Sequence, residues 1–197
     1  VACGISWHAG LIGEFMLEEL AKIPVEVEYA SEFRYRHPIL DNGTLVIAIS
    51  QSGETADTIA ALKEAKNLGV KTLSICNVMG SSLTRISDGV IYTRAGPEIG
   101  VASTKAFTTQ LAVLYLLTTL LSKLRGTLNE KQIKDMISGI RKIPLQLQSV
   151  LDEDDEILKC AELYYNKLNS IYLGRGVNLP IALEGSLKLK EVSYMHA

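Results

Sequence analysis

Cysteine, histidine and phosphate-loop glycines are scarce or badly spaced in this chain, and each shortage removes a class of function. Its 197 residues hold three cysteines, Cys3, Cys76 and Cys160, odd in number and far apart. No CxxC pair and no Cys/His zinc spacing is present, so a disulfide framework and a zinc site both lack support. The pattern suits a reducing, cytoplasmic setting with thiols packed as small hydrophobes. Cys3 stands at a strand-to-loop turn, where a reactive thiol is the alternative to a buried one. The three histidines, His8, His37 and His196, give no Ser-His-Asp order. His37 precedes a proline and His196 lies at the end of the chain. His8 sits near the first loop, as a ligand contact or as a satisfied structural group. The glycines form neither GxGxxG nor a Walker loop, so a nucleotide cofactor has no support. Net charge is -2, which argues against a broad basic nucleic-acid face. Apolar runs are short or interrupted, so no membrane span is expected. No leader pattern follows Val1.

What is present is globular composition: 47% hydrophobic and 21% charged residues, enough for one domain with a sizeable core and part of another. Strand-like runs at Val1 to Gly4, Val25 to Tyr29, Leu45 to Ile49, Val70 to Cys76 and Val90 to Thr93 alternate with helical patterns at Ser6 to Lys22, Ser31 to Arg36, Ala56 to Leu68 and Ser81 to Ile86. That alternation predicts an α/β fold, a doubly wound parallel sheet flanked by helices. Helices follow at Lys105 to Leu124, at Asn129 to Ile143 with a stop near Pro144, and at Asp152 to Lys167. The acidic run Asp152 to Glu156 reads as charge on a helix N-terminus rather than a metal site. A strand at Ser170 to Leu173, the turn Gly174-Arg175-Gly176 and a helix at Leu179 to Met195 close the chain.

Strand, glycine loop and helix thus recur: a shift of 170 sets Gly4 on Gly174 and Glu14 on Glu184. We expect residues 1–150 to form one unit with C-terminal helices, and residues 151–197 to begin a second, similar unit. The opening Val-Ala-Cys-Gly and the uncapped close on Met-His-Ala read as a piece of a longer protein.

Between the strand at Leu45 to Ile49 and the following helix lies Ser50-Gln51-Ser52-Gly53-Glu54-Thr55. Three hydroxyls and a glycine at a helix start can hold an anion without a positive side chain. One hydroxyl alone would be an N-cap. In an open parallel sheet, ligands sit beyond the carboxyl ends of the strands, which adds the Cys3 to Ser6 strand end and the Gly100 to Lys105 loop. Ser6, Ser103 and Thr104 can each cap a helix, bind a ligand, or do both. On the last helix, at about 100° per residue, Glu184, Lys188 and Glu191 share one stripe. Leu183, Leu187, Ile181 and Val192 flank it, while Ser186, Lys190 and Ser193 lie opposite. A surface salt-bridge ladder would sit among polar neighbours. Charges amid apolar ones suit proton transfer, because desolvation and a partner tune them.

Three stretches, Ser50 to Thr58, Glu98 to Phe107 and Ala182 to Glu191, carry a family resemblance that extends over essentially the whole chain. The chain resembles sugar isomerase (SIS) domains, and among them the isomerase half of the glutamine–fructose-6-phosphate aminotransferases. The resemblance implies a fructose 6-phosphate substrate whose phosphate is held by Ser50, Gln51, Ser52 and Thr55. Ser6, Val101 and Ser103 would line the sugar. Glu191 matches the family's base, moving a proton between C1 and C2 of the aminated sugar, and Lys188 a lysine beside it. No metal or organic cofactor is implied. An N-terminal glutaminase domain and a homodimer are implied partners, and nucleic acid and membrane are not. Ile5 stands where the family carries a threonine, so one hydroxyl contact is absent. The family's ring-opening histidine and Schiff-base lysine have no counterpart within these residues, so this stretch alone is expected to bind and not to turn over. A non-catalytic sugar-phosphate sensor and an unrelated nucleotide binder are the competing readings. The charged stripe counts against the first, and the missing glycine loop against the second.

Overall fold

The structure is a computed structural model that describes residues 1–197. Three strands, β1 (Leu45–Ser50), β2 (Lys71–Cys76) and β3 (Gly89–Tyr92), form a parallel sheet in that order. Two extended segments lengthen it. The Val1 amino group donates to the Ile47 carbonyl at 2.8 Å, and the Ile49 N–H donates to the Val1 carbonyl at 3.1 Å. On the far side, Ala2 bridges Tyr29 in parallel sense. The spatial order is therefore 25–29, 1–3, β1, β2, β3, which is 2-1-3-4-5 in chain order. Its switch point, where connections leave in opposite directions, falls between residues 1–3 and β1. The strands expected at Val1 to Gly4 and Val25 to Tyr29 are thus reduced to a single bridge, because the two segments pair over very few residues.

Helices cover both faces. Helix α1 (Ile5–Met16) and α5 (Lys105–Arg125) lie on one side; α2 (Ala30–Tyr35), α3 (Ala56–Asn67) and α4 (Ser82–Ile86) lie on the other. The period-2 alternation of β1 sorts its side chains: Val46 and Ala48 pack with Phe33, Leu62 and Leu83, and Ile49 packs with Ala9, Ile75 and Leu114. Gly13 lets α1 approach α5, since an added Cβ would stand 3.1 Å from a Leu114 methyl.

Three further expectations need correction. The helix drawn through Lys22 gives way to a π-turn at Leu17–Ala21. Its freed carbonyls are taken by the end of α5: Arg125 Nε donates to Ala21 at 2.9 Å and Thr127 Oγ1 to Leu20 at 2.6 Å. Helix α6 (Glu130–Leu151) runs through Pro144 rather than stopping there. The lost N–H costs one bond, but this stretch is exposed, so water can serve the orphaned carbonyl. It starts on a capping box between Asn129 and Gln132. Residues 170–173 form no strand; only Asn169 bridges His196. Helix α5 meets the length and composition of a membrane span, which a core helix also does. In this fold it is a packed helix with Gln110, Thr118, Thr119 and Ser122 buried along it.

The remaining helices, α7 (Asp154–Tyr164) and α8 (Asn178–Ser193), bury little: α7 no residue, α8 only Pro180 and Glu184. Asp154, Asp155 and Glu156 occupy the first turn of α7, where the macrodipole favours acids. Cys76 is buried and Cys3 half-buried, but Cys160 is exposed, against the expectation of packed thiols.

Candidate functional site

At the switch point the carboxyl ends of residues 1–3 and β1 open into a cleft of about 300 Å³. Ser6, Ser50, Gln51, Ser52, Thr55, Val101, Ser103, Lys188 and Glu191 all line it, with Cys3, Ile5, Thr58 and Glu98 between them. Four stretches of chain far apart in sequence, from Cys3 to Glu191, thus meet at one place. Lys188 is the sole cationic side chain in the lining.

The floor is the hydroxyl loop. Ser50 Oγ accepts the Gly53 N–H at 2.9 Å and Ser52 Oγ accepts the Glu54 N–H at 3.1 Å. Each hydroxyl hydrogen remains free to donate. Gly53 has φ +67, and an added Cβ would lie 2.1 Å from Ser81 Oγ and 2.8 Å from Cys76 Sγ. Only glycine lets the loop turn this tightly. Thr55 occupies the N-cap position of α3, yet no side chain caps that helix. Its first-turn N–H groups and macrodipole are left for another acceptor. Glu54 is not that acceptor. Its carboxylate takes the Ser82 N–H at 2.8 Å at the start of α4, and hydrogen bonding from Ser82 holds it below the usual carboxylate range.

One wall is the loop before α5. Neither Ser103 nor Thr104 caps that helix with its hydroxyl; Glu98 serves instead. Its carboxylate accepts the Ala106 N–H at 3.0 Å and the Ser103 hydroxyl at 3.1 Å. Burial raises the Glu98 pKa, but the bonds from Ala106, Ser103 and Thr104, with Lys105 nearby, outweigh it and leave the group lowered. Val101 lies at the exposed tip of this loop. The Ser6 hydroxyl caps nothing. It accepts Gln110 Nε2 at 2.9 Å, so its own hydrogen is free to point into the cleft.

The opposite wall is α8. Glu184 is buried, Lys188 half-buried, and Glu191 at the rim with about a third of its side chain exposed. The Lys188 ammonium is ion-paired to the Glu191 carboxylate and lies 3.7 Å from Glu184 Oε1. The stripe is therefore graded rather than uniformly buried. Its flanks Ile181, Leu183 and Val192 are exposed. Glu184 Oε2 bonds His8 Nδ1 at 2.7 Å across 176 positions of sequence.

A model of the SIS domain matches residues 1–120. The chain belongs to the SIS domain family. It is 52% identical over 197 residues to the glutamine–fructose-6-phosphate aminotransferase (isomerizing) of Methanosarcina acetivorans, and 55% identical over 196 residues to that of Chlorobaculum tepidum. All of the chain is covered, and it spans 32% of each relative. Among solved structures, the C-terminal domain of glucosamine-fructose-6-phosphate aminotransferase from Francisella tularensis matches with a TM-score of 0.97 at 47% identity, covering the whole chain and 56% of that one.

Sequence reasoning about this SIS chain missed four lining or supporting residues: His8 as a partner of Glu184, Glu98 as the clamp of the wall loop, Gln110 behind Ser6, and Thr58. Gln110 left a signal, an amide inside an otherwise apolar helix. His8 and Thr58 lie in expected helices and Glu98 in an expected loop, and nothing local names the partners that the fold gives them.

Proposed function

We propose that the chain is the sugar-phosphate-binding isomerase part of an enzyme making glucosamine 6-phosphate from fructose 6-phosphate and glutamine-derived ammonia. The observation that carries this reading is the uncapped start of α3, with free hydroxyl hydrogens of Ser50 and Ser52 beside it, facing the Lys188–Glu191 pair across one cleft. A phosphate dianion takes the place that a capping side chain would otherwise fill. Ser50, Gln51, Ser52 and Thr55 bind its oxygens, and a helix start contributes roughly half a positive charge. Ser6, Val101 and Ser103 line the sugar. Ile5 offers no hydroxyl at the cleft, so apolar contact replaces a bond there.

Glu191 is then the base. It removes a proton from C1 of the C2 imine while the imine nitrogen is protonated, giving an enaminol, and returns the proton to C2 while the C1 hydroxyl loses its own, leaving an aldehyde at C1 and the amine on C2. Lys188, ion-paired to that carboxylate, orients it over the cleft. The chemistry needs no metal or organic cofactor, because the substrate's imine is the electron sink. A glutaminase domain supplies ammonia, the site of action is the cytoplasm, and residues 151–197 begin a second SIS-like unit after the first at 1–150. A homodimer would cover exposed leucines such as Leu116, Leu120 and Leu124.

In the whole protein, Glu191→Gln should lower isomerisation by about 10²–10⁴-fold while calorimetry with fructose 6-phosphate shows nearly unchanged affinity. Isomerisation at the parent rate would remove Glu191 as the base. A protein with tight sugar-phosphate binding and no turnover before mutation would be a sensor instead.

A further inference from the structure

The buried pair between α1 and α8 has no part in the chemistry just described. Resting on that reading, we propose that His8 is a positioning residue that sets the Lys188–Glu191 pair over the cleft by holding Glu184. Three observations lead there. First, the His8–Glu184 bond at 2.7 Å is the one side-chain hydrogen bond that joins α8 to residues 1–150. The remaining side-chain bonds of α8 stay within residues 178–195.

Second, the pair is almost fully enclosed, with His8 and Glu184 each 7% exposed. Burying a carboxylate is costly, and two apolar side chains would join the helices as well or better. A polar pair at this point selects one orientation where a greasy contact would allow several. Trp7 stands against the imidazole, ring centres 5.4 Å apart, and itself stacks on Tyr29 at 4.1 Å, which fixes the ring from behind.

Third, the two oxygens of Glu184 are divided. Oε2 takes His8 while Oε1 faces the Lys188 ammonium at 3.7 Å, and Lys188 in turn pairs with Glu191. A carboxylate oxygen accepts, so His8 Nδ1 is the donor in this bond. The order His8, Glu184, Lys188, Glu191 thus runs from the enclosed face of α1, the helix that also bears Ser6, to the rim of the cleft. A displacement of about 1 Å in reacting groups can cost about 100-fold in rate, so a hinge at the root of this row is felt at its tip.

The test uses the whole protein and three variants. His8→Ala should lower kcat for isomerisation by about 10–100-fold with KM for fructose 6-phosphate within about threefold. Hydrogen exchange of the α8 amides should quicken by about tenfold or more, while the β1 and β2 amides hold their protection. His8→Asn places an amide nitrogen as many bonds from Cβ as Nδ1, and should restore both readings to within about threefold of the parent. Unchanged kcat in His8→Ala, or an equal loss in His8→Asn, overturns the proposal, as does unaltered exchange of α8. Glu191→Gln is the separate control. If it still isomerises, the base assignment fails, and the exchange rates of α8 decide on their own whether His8 holds that helix.

Discussion

Residues 1–127 and residues 128–197 are held together in opposite ways. The first stretch packs two apolar clusters against the faces of one sheet. The second buries three residues, Ile133, Pro180 and Glu184, and leaves Leu145, Leu163, Leu168 and Leu173 more than two-thirds exposed. The hydroxyl loop at Ser50 to Thr55 belongs to the first and the Lys188–Glu191 pair to the second. The proposed binding loop thus rests on a framework set by its own core, whereas the α8 wall reaches the cleft through one helix and one buried polar tie. Positional accuracy in the self-supporting part comes from dense packing. In α8 it must come from directed bonds.

That contrast can be broken most forcefully at Gly53. Gly53→Ala demands φ +67 of an alanine and drives its Cβ into Ser81 and Cys76. Strain and overpacking together should cost about 2–5 kcal/mol, read as a lower denaturation midpoint, and fructose 6-phosphate binding should fail with it. An alanine variant of parent stability and affinity would show that the loop is soft. The core comparison comes next. Leu62 is fully enclosed and Leu163 is 68% exposed. Leu62→Ala should cost about 2–5 kcal/mol, and Leu163→Ala less than about 0.5 kcal/mol. Equal costs would mean that α7 is packed in solution, and the contrast would vanish.

The smallest effect lies in acid. Asp88 accepts the Thr72 hydroxyl and N–H, each at 2.9 Å, and the Lys66 ammonium at 3.1 Å. These bonds, those from Thr72 first, lower its pKa from 3.8 to about 2. A depressed folded pKa gives stability that is present above the unfolded value and is lost as pH falls through the folded one. Asp88 should therefore help the sheet above about pH 4 and cease to help near pH 2. Asp88→Asn should flatten that limb of the stability curve, and an identical limb in both proteins would count against the assignment.

Legibility followed the same divide. Strand β1 and helix α3 were readable almost to the residue, because an apolar run, a hydroxyl cluster and Gly69 punctuate them locally. The cleft's lining was readable too, since strand ends in a parallel sheet gather by topology. What stayed hidden depends on partners distant in sequence. Nothing near Pro144 says that α6 continues, and nothing near Ser170 says that its strand lacks a neighbour. The His8–Glu184 bond spans 176 positions; the stripe on the last helix marks Glu184, but nothing near either residue names the other as its partner. Glu98 is hidden for the same reason, since Ser103 and Thr104 offer a simpler cap for α5 than a carboxylate several residues before it.

The central claim is that an uncapped helix start and a ring of hydroxyls grip a phosphate dianion without an arginine. A crystal structure of the protein with fructose 6-phosphate tests it directly. The account predicts the phosphate among Ser50, Ser52 and Thr55 at the start of α3, with C1 and C2 turned toward Glu191. A phosphate bound at any other surface, with that loop unoccupied, would contradict it.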